Sequence, residues 1–102
     1  MKIRCSTNLD LFNEQWPEDL PILPRVGDHI ESATEWTLGG MKYKLQLAVV
    51  RVTWEHSRDI YHYQNNWIPR IELHLPPHRF ENLIEFYAWY GEITGKGKSF
   101  FI

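Results

Sequence analysis

The run from Met41 to His56 constrains the fold more than any other part of the sequence. Its apolar residues occupy odd-numbered positions up to Leu47 and even-numbered positions from Val50 to Trp54. Side chains along a β-strand alternate between the two faces of a sheet, so a change of phase requires a β-bulge or a passage from one sheet environment to another. Small closed barrels need such a bend in a long strand. The pattern therefore predicts one long, bent strand in a strongly curved sheet.

Shorter alternating runs predict further strands beside it. Ile68–Leu75 alternates apolar and polar residues and ends at two prolines. Residues 57–66 are predicted to form a long hairpin connection between these two strands. Gly27 stands third in the four-residue stretch Arg25–Asp28, where a type II turn requires positive φ, so this stretch predicts a tight turn into the next strand. The other predicted strands are residues 2–5, 29–32 and 99–102.

Prolines at positions 17, 21 and 24 interrupt any strand or helix between Trp16 and Pro24. Each proline fixes φ, lacks an N–H donor and biases its predecessor toward extended geometry. We expect residues 16–24 to form an extended segment outside the sheet, which we call the proline ribbon. Its apolar side chains are predicted to lie over the body of the protein: Trp16, Leu20, Ile22 and Leu23.

The segment from His78 to Tyr90 has the period of an amphipathic helix, and Gly91 is well placed to end it in the left-handed conformation. Trp89 falls among the polar residues, opposite the apolar face. The residues that share the apolar face are Phe80, Leu83, Ile84, Tyr87 and Ala88. We expect this face to pack against Ile71, Leu73 and Val52 of the sheet.

Together these elements predict an α+β fold, with a strongly bent antiparallel sheet, or partly open small β-barrel, of about five to six strands. One amphipathic helix covers about residues 78–90. A chain of 102 residues is long enough for one hydrophobic core and too short for two. We therefore expect a single domain over residues 1–102. Residues 1–24 would supply an N-terminal strand and the proline ribbon, and residues 25–75 the barrel-like sheet.

Charge and composition argue against several functions. A formal net charge of −2 gives no long-range attraction for phosphate backbones or anionic lipid, which normally meet a clear excess of Lys and Arg. No window holds the ~18 apolar residues of a membrane span, and the first residues lack the apolar run of a signal peptide. Cys5 is the only cysteine, which excludes an internal disulfide and a thiolate pair for zinc. We expect a soluble cytoplasmic protein that uses no cofactor.

A metal site is the main alternative to a binding function, and its candidate ligands are His56, His62, Glu72 and His74. They would supply imidazole and carboxylate ligands to a metal-binding protein or metal-dependent enzyme if the strands brought them together. However, their spacing matches no structural zinc motif, and two prolines break the pair formed by His74 and His78. The motifs of serine hydrolases and phosphate-binding loops are also missing, so no catalytic residue is predicted.

Aromatic residues in the predicted hairpin connection indicate binding. Tyr61, Tyr63 and Trp67 lie in or beside it among amide side chains, where rings can stack on unpaired bases or contact a protein. Single-strand binders place several cations beside such rings, whereas only Arg58 and Arg70 flank this segment. Single-stranded nucleic acid is therefore the weaker interpretation.

Trp89 indicates a second binding surface. It lies on the outer face of the predicted helix, with Phe86 and Tyr90 at the margin of the buried arc, and it extends the apolar surface beyond what one core contact needs. Tryptophan is enriched among residues that dominate protein interfaces, so we expect a protein partner or a homodimer here. The alternative is that Trp89 packs against the C-terminal tail or the proline ribbon.

The stretch Pro24–Asp28, followed by a short strand, a loop and a long bent strand that contains Leu45–Val52, resembles the start of many small SH3-like barrels. The resemblance covers about residues 24–75 and concerns the fold. In that superfamily a Gly-Asp turn commonly opens the first strand, and the barrel typically binds peptides, nucleic acid or assembly partners. The resemblance therefore implies a binding module, and no ligand residues carry over from it.

The leading hypothesis is a non-enzymatic interaction module that binds a protein partner or itself. The residues assigned to that role are Tyr61, Tyr63, Trp67, Phe86, Trp89 and Tyr90. The first alternative is the metal site, and the second is single-stranded nucleic-acid binding through residues 61–67.

Overall fold

The computed structural model describes residues 1–59 and 64–95, which form a curled four-stranded sheet and one helix. The strands are β1 (Arg4–Thr7), β2 (His29–Leu38), β3 (Met41–Asp59) and β4 (Gln64–His74), and the helix is α1 (Leu83–Thr94). The order within the sheet is β1-β4-β3-β2, with β1 parallel to β4 and the other neighbours antiparallel. The predicted α+β class is confirmed, and the sheet forms a half-barrel.

The bend in β3 lies at the change of phase in the sequence. The register with β4 shifts between Val49 and Arg51, so Val50 is an extra residue in the ladder, a β-bulge. Because of this extra residue, Val49 and Val52 both contribute to the core although one position is odd and the other even. A bulge bends its strand and increases the local twist. This is how one 19-residue strand curves around the core.

Two features of the sheet differ from the prediction. β1 runs parallel to β4, so the sheet is mixed and the predicted antiparallel pairing throughout is wrong. The described residues contain four strands, fewer than the predicted number, and the strand predicted at residues 99–102 lies outside them. Alternation of side chains determines the faces of a strand but carries no information about the direction of its neighbour.

The segment between β1 and β2, residues 8–28, closes the open side of the half-barrel, and we call it the N-terminal segment. On the β1 side, the Ile3 N–H donates to the Glu18 carbonyl at 3.0 Å, and on the β2 side the Ala33 N–H donates to the Gln15 carbonyl at 2.7 Å. The proline ribbon lies over the body as predicted, with these residues packed against the core: Trp16, Leu20 and Leu23. Ile22, at a bend of the ribbon, is exposed, so the expectation that it lies over the body is wrong.

The predicted turn before β2 is confirmed. Gly27 has φ +98°, and the Asp28 N–H donates to the Arg25 carbonyl at 3.0 Å. The Asp28 carboxylate also accepts from the Arg25 N–H at 2.8 Å. The turn brings β2 alongside β3, where the Gly27 N–H donates to the Val49 carbonyl at 2.9 Å.

Helix α1 begins and ends later than predicted. Asn82 is its N-cap, accepting a backbone N–H at 2.9 Å, and Gly95, with φ +73°, ends it. The predicted bounds of 78–90 and the predicted end at Gly91 are wrong, since Gly91 lies inside the helix and is buried. Asparagine is a strong N-cap, and His78, with φ +69°, cannot belong to a right-handed helix.

The face that α1 buries is also different from the predicted one. Phe86, Tyr90 and Ile93 are buried, whereas Leu83 and Ile84, which the sequence pattern places in the core, are 45% and 76% exposed. The buried set has i, i+4, i+7 spacing, which is visible only if the helix continues past residue 90. Within residues 1–59 and 64–95, no helix has the length and apolar character needed to cross a membrane.

Candidate binding surface

The hairpin formed by β3 and β4 extends beyond the rest of the sheet. β2 pairs with β3 only as far as Ala48, and β1 pairs with β4 only from Arg70 onward. In the described part of the chain, residues 51–59 of β3 therefore pair only with β4, and residues 64–69 of β4 pair only with β3. We call these two segments the hairpin arm. An isolated two-stranded hairpin is marginally stable in water, so the arm depends on the sheet at its base.

One face of the hairpin arm carries three aromatic side chains. Ile71 is fully buried and lies opposite Val52, which identifies the inner face of the sheet. Trp54 and His56 follow on the same face of β3, and Trp67 lies opposite His56 on β4. The ring centroids of His56 and Trp67 are 4.9 Å apart. We call Trp54, His56 and Trp67 the aromatic surface.

The aromatic surface is the part of the inner face that the core does not cover. Trp54 is 49% exposed and Trp67 is 64% exposed. Tryptophan is highly buried on average, and contiguous exposed apolar surface marks interaction sites. Because β3 extends to Asp59 and β4 begins at Gln64, the hairpin connection predicted over residues 57–66 is too long. The other two predicted binding residues of this region, Tyr61 and Tyr63, lie outside the described residues.

The helical part of the predicted binding patch lies mostly in the core. Phe86 and Tyr90 are fully buried, so the expectation that they border an exposed patch is wrong, and the different rotation of α1 is the reason. Trp89 is half-buried, with its ring centroid 5.5 Å from that of Phe80 and 5.0 Å from the Arg79 guanidinium. Trp89 therefore exposes a smaller fraction than either tryptophan of the aromatic surface.

The side chains considered as metal ligands are not brought together. His56 lies opposite Trp67, whereas His74 lies seven residues beyond Trp67 on β4. At about 3.3 Å per residue, the two strand positions are about 23 Å apart. Glu72 is occupied by ion pairs, and His62 lies outside the described residues. Among the residues that the structure describes, no three His, Cys, Asp or Glu side chains are placed to share a metal ion.

The outer face at the base of the hairpin arm carries a network of ion pairs. Arg70 contacts two carboxylates, Glu55 at 2.7 Å and Glu72 at 3.0 Å. Arg4 reaches Glu55 at 3.4 Å, and Arg51 reaches Glu72 at 3.6 Å. A single exposed ion pair contributes little stability, whereas a network can contribute more. This one joins β1, β4 and β3 across the face opposite the aromatic surface.

Sequence reasoning missed a half-buried polar cluster around Glu14. The Glu14 carboxylate accepts hydrogen bonds from Trp36 Nε1–H at 2.6 Å, from the Tyr90 hydroxyl at 2.8 Å and from the Ser32 hydroxyl. The Tyr90 hydroxyl in turn accepts from the Phe12 N–H at 2.9 Å. Burial, together with the Glu14 carboxylate, raises the pKa of Tyr90 above its usual range. The cluster connects the N-terminal segment to both β2 and α1.

Cys5 lies on β1 beside the proline ribbon. Its thiol is 3.6 Å from the Pro17 carbonyl, which accepts the weak S–H hydrogen bond, and burial raises the pKa of Cys5 to about 11. The thiolate is the nucleophilic form of cysteine, so this environment favours a structural role. A groove of about 910 Å³ runs between β1 and residues 14–19, lined by side chains of both charges.

Similarity to known proteins adds no functional assignment, since no protein-family model, curated protein or solved structure matches this chain.

Proposed function

We propose that this protein is a non-enzymatic interaction module that binds a protein partner, or a second copy of itself, through the aromatic surface. The observation that carries the proposal is the exposure of Trp54 and Trp67, 49% and 64%, on segments of β3 and β4 that pair only with each other in the described residues. Tryptophan is among the residues that most often dominate protein interfaces.

The exposed area of the two tryptophans is large enough to matter. Complete burial of a tryptophan removes about 250 Å² from water. The exposed fractions of Trp54 and Trp67 then amount to about 280 Å², or about 7 kcal/mol at 25 cal/mol per Å². Association costs about 4–15 kcal/mol in lost freedom of motion. The aromatic surface is therefore suited to be the centre of an interface, with a polar rim around it.

The chemistry nearby supports binding over catalysis. Glu55 and Glu72 are paired with arginines, and burial raises the pKa of the Cys5 thiol to about 11, well above that of a reactive thiol. Trp89, half-buried beside Arg79, is proposed as a secondary contact. The SH3-like resemblance would place the protein among binding modules, and both it and the cytoplasmic location remain predictions.

Site-specific photo-crosslinking tests the proposal. A photoreactive phenylalanine analogue replaces His56 in the full chain, expressed in the organism that makes it, and a matched variant carries the analogue at Ile84, which is exposed on α1. We expect discrete covalent adducts from position 56, reduced several-fold by Trp67→Ser, and none of the same mass from position 84. The absence of adducts from position 56, or the same adducts from both positions, would contradict the proposal.

A further inference from the structure

Among the residues that the structure describes, β3 has a long free edge along the hairpin arm. On that side, the described residues form backbone hydrogen bonds as far as Val49, which is bonded to Gly27 and Asp28. Residues 51–59 pair with β4 on the other side. Nine residues at about 3.4 Å each give an edge about 30 Å long. Alternate residues along it direct N–H and C=O groups away from β4, which makes the edge a template for another strand.

The two edges of the hairpin arm are not equally protected. On β4, the fully buried Pro69 lacks an N–H donor and directly precedes Arg70, where the pairing with β1 begins. Residues 51–59 of β3 contain neither proline nor glycine, and their register with β4 is continuous. Proteins usually block strand addition with proline, bulges or short edges. The β3 edge is therefore the less protected of the two.

We infer that a second copy of this chain pairs antiparallel with residues 51–59 of β3, about a two-fold axis that passes beside Glu55. The inference rests on the proposed function and names its partner. A two-fold axis perpendicular to the sheet produces an isologous contact, in which the same residues occur on both sides. It also places the inner faces of both copies on the same side of the combined sheet, so the two aromatic surfaces become continuous.

The residues along the edge favour this register over its neighbours. With the axis at Glu55, Trp54 of each copy lies opposite His56 of the other, and Arg51 lies opposite Asp59. Aromatic pairs and opposite charges across neighbouring strands are stabilising. With the axis at Trp54, Arg51 lies opposite a serine. With the axis at His56, the position opposite Arg51 lies beyond the end of β3. Neither of these registers brings opposite charges together.

The same register joins rings into a row across the dimer. Within one chain, His56 and Trp67 are already 4.9 Å apart between ring centroids. In the dimer, Trp54 of the second copy would lie on the other side of His56. Each histidine ring would then lie between two indoles, and both exposed tryptophans of each copy would belong to one interface.

The cost of the register is that Glu55 lies opposite Glu55. Like charges directly opposite each other destabilise a sheet. Here each carboxylate is already paired with Arg70 at 2.7 Å and with Arg4 at 3.4 Å, so the two carboxylates are largely neutralised before they meet. The arginine network on the outer face is thus suited to a glutamate on the dimer axis.

Disulfide trapping tests both the dimer and its register. In a Cys5→Ala background, which removes the native cysteine, one variant carries Glu55→Cys and its matched control carries Thr53→Cys on the same face of the strand. Residues directly opposite each other have Cβ atoms about 4.5–5.5 Å apart, near disulfide range, whereas two copies of residue 53 would be about 14 Å apart. We expect Glu55→Cys to form a covalent dimer at least tenfold faster than Thr53→Cys.

Sedimentation of the unmodified chain over a concentration series provides an independent measurement. We expect a reversible dimer that Asp59→Arg weakens at least tenfold, and that the double variant Arg51→Asp, Asp59→Arg restores. Circular dichroism of each variant verifies that it is folded. A monomer at all concentrations, equal trapping rates at residues 53 and 55, or failure of the charge exchange to restore the dimer would overturn the inference. A monomer whose position 56 crosslinks to a different protein would overturn only this inference, whereas a monomer without adducts would also contradict the proposed function.

Discussion

Replacement of Glu14 by alanine tests whether its cluster holds the N-terminal segment against the half-barrel. The change removes the acceptor of hydrogen bonds from Ser32, Trp36 and Tyr90. The residues Ser32 and Tyr90 are only 1% and 0% exposed, so their hydroxyl groups have little access to water. A buried donor that loses its partner costs about 1–3 kcal/mol. Ser32 retains a long contact with the Gln15 carbonyl at 3.4 Å, so we take the low end of the range for all three donors, about 3–5 kcal/mol in total.

Thermal and urea denaturation followed by circular dichroism measure this loss. For a chain near 100 residues, 1 kcal/mol lowers the Tm by about 4–8 °C, so Glu14→Ala is expected to lower the Tm by at least about 12 °C. Glu14→Gln keeps Oε1 as an acceptor for Trp36 and Tyr90 and is expected to cost about 1–2 kcal/mol. Glu18→Ala changes an exposed side chain on the same segment and is expected to stay within about 0.5 kcal/mol of the unmodified chain.

Two results would refute the reasoning about Glu14. A free energy of unfolding for Glu14→Ala within about 0.5 kcal/mol of the unmodified chain would show that the three donors find other partners at no cost. An equal loss for Glu14→Gln and Glu14→Ala would show that the negative charge, and not the arrangement of acceptors, supplies the stability.

Other parts of the fold carry independent predictions for the same denaturation measurements. Deletion of the bulge residue Val50 leaves every inner residue of β3 on the inner face and is expected to cost less than about 2 kcal/mol. Deletion of Gln46 moves the side chains on one side of the deletion to the opposite face of the sheet and is expected to prevent folding. Asn82→Ala removes the N-cap of α1 and is expected to cost about 1 kcal/mol, with Asn82→Asp as the capped control. Burial raises the pKa of Cys5 from 9.0 to about 11, so the thiol of the unfolded chain loses its proton at lower pH than the thiol of the folded chain. The free energy of unfolding therefore falls as the pH rises through this range. In Cys5→Ala, the midpoint of urea denaturation is expected to decrease less over the same pH range.

Features that depend on neighbouring residues alone were predictable from the sequence. The phase change at Val50 is a local consequence of strand alternation, and the structure has a bulge at that residue. The turn at Gly27 is also local, because only its own φ and one hydrogen bond between Arg25 and Asp28 define it. Such features follow from rules with a range of a few residues, and no knowledge of the partner strands is required.

Features that depend on distant partners were not predictable in the same way. The donors to Glu14 lie 18, 22 and 76 residues away in sequence, and no periodic pattern marks a carboxylate whose partners arrive from β2 and α1. The rotation of α1 is a second example. Both Leu83–Ile84 and the Phe86, Tyr90, Ile93 set are apolar, and packing against the sheet decides which of them is buried. Ile93 lies beyond Gly91, where the sequence pattern predicts the end of the helix, so the predicted helix does not contain it.

Trp54 and Trp67 show that alternation in the sequence can identify the inner face of a strand without showing which part of that face other elements cover. The alternation that buries Ile71 continues outward through Pro69 to Trp67, as in any strand of a core. The cover ends where β1 and β2 stop pairing, and that point depends on register, which alternation does not specify. A strand with one face in water usually carries polar residues there. Two tryptophans at such positions are costly for an isolated chain and favourable once another surface buries them, and the edge of β3 that is free among the described residues would supply the backbone for the dimer that we propose.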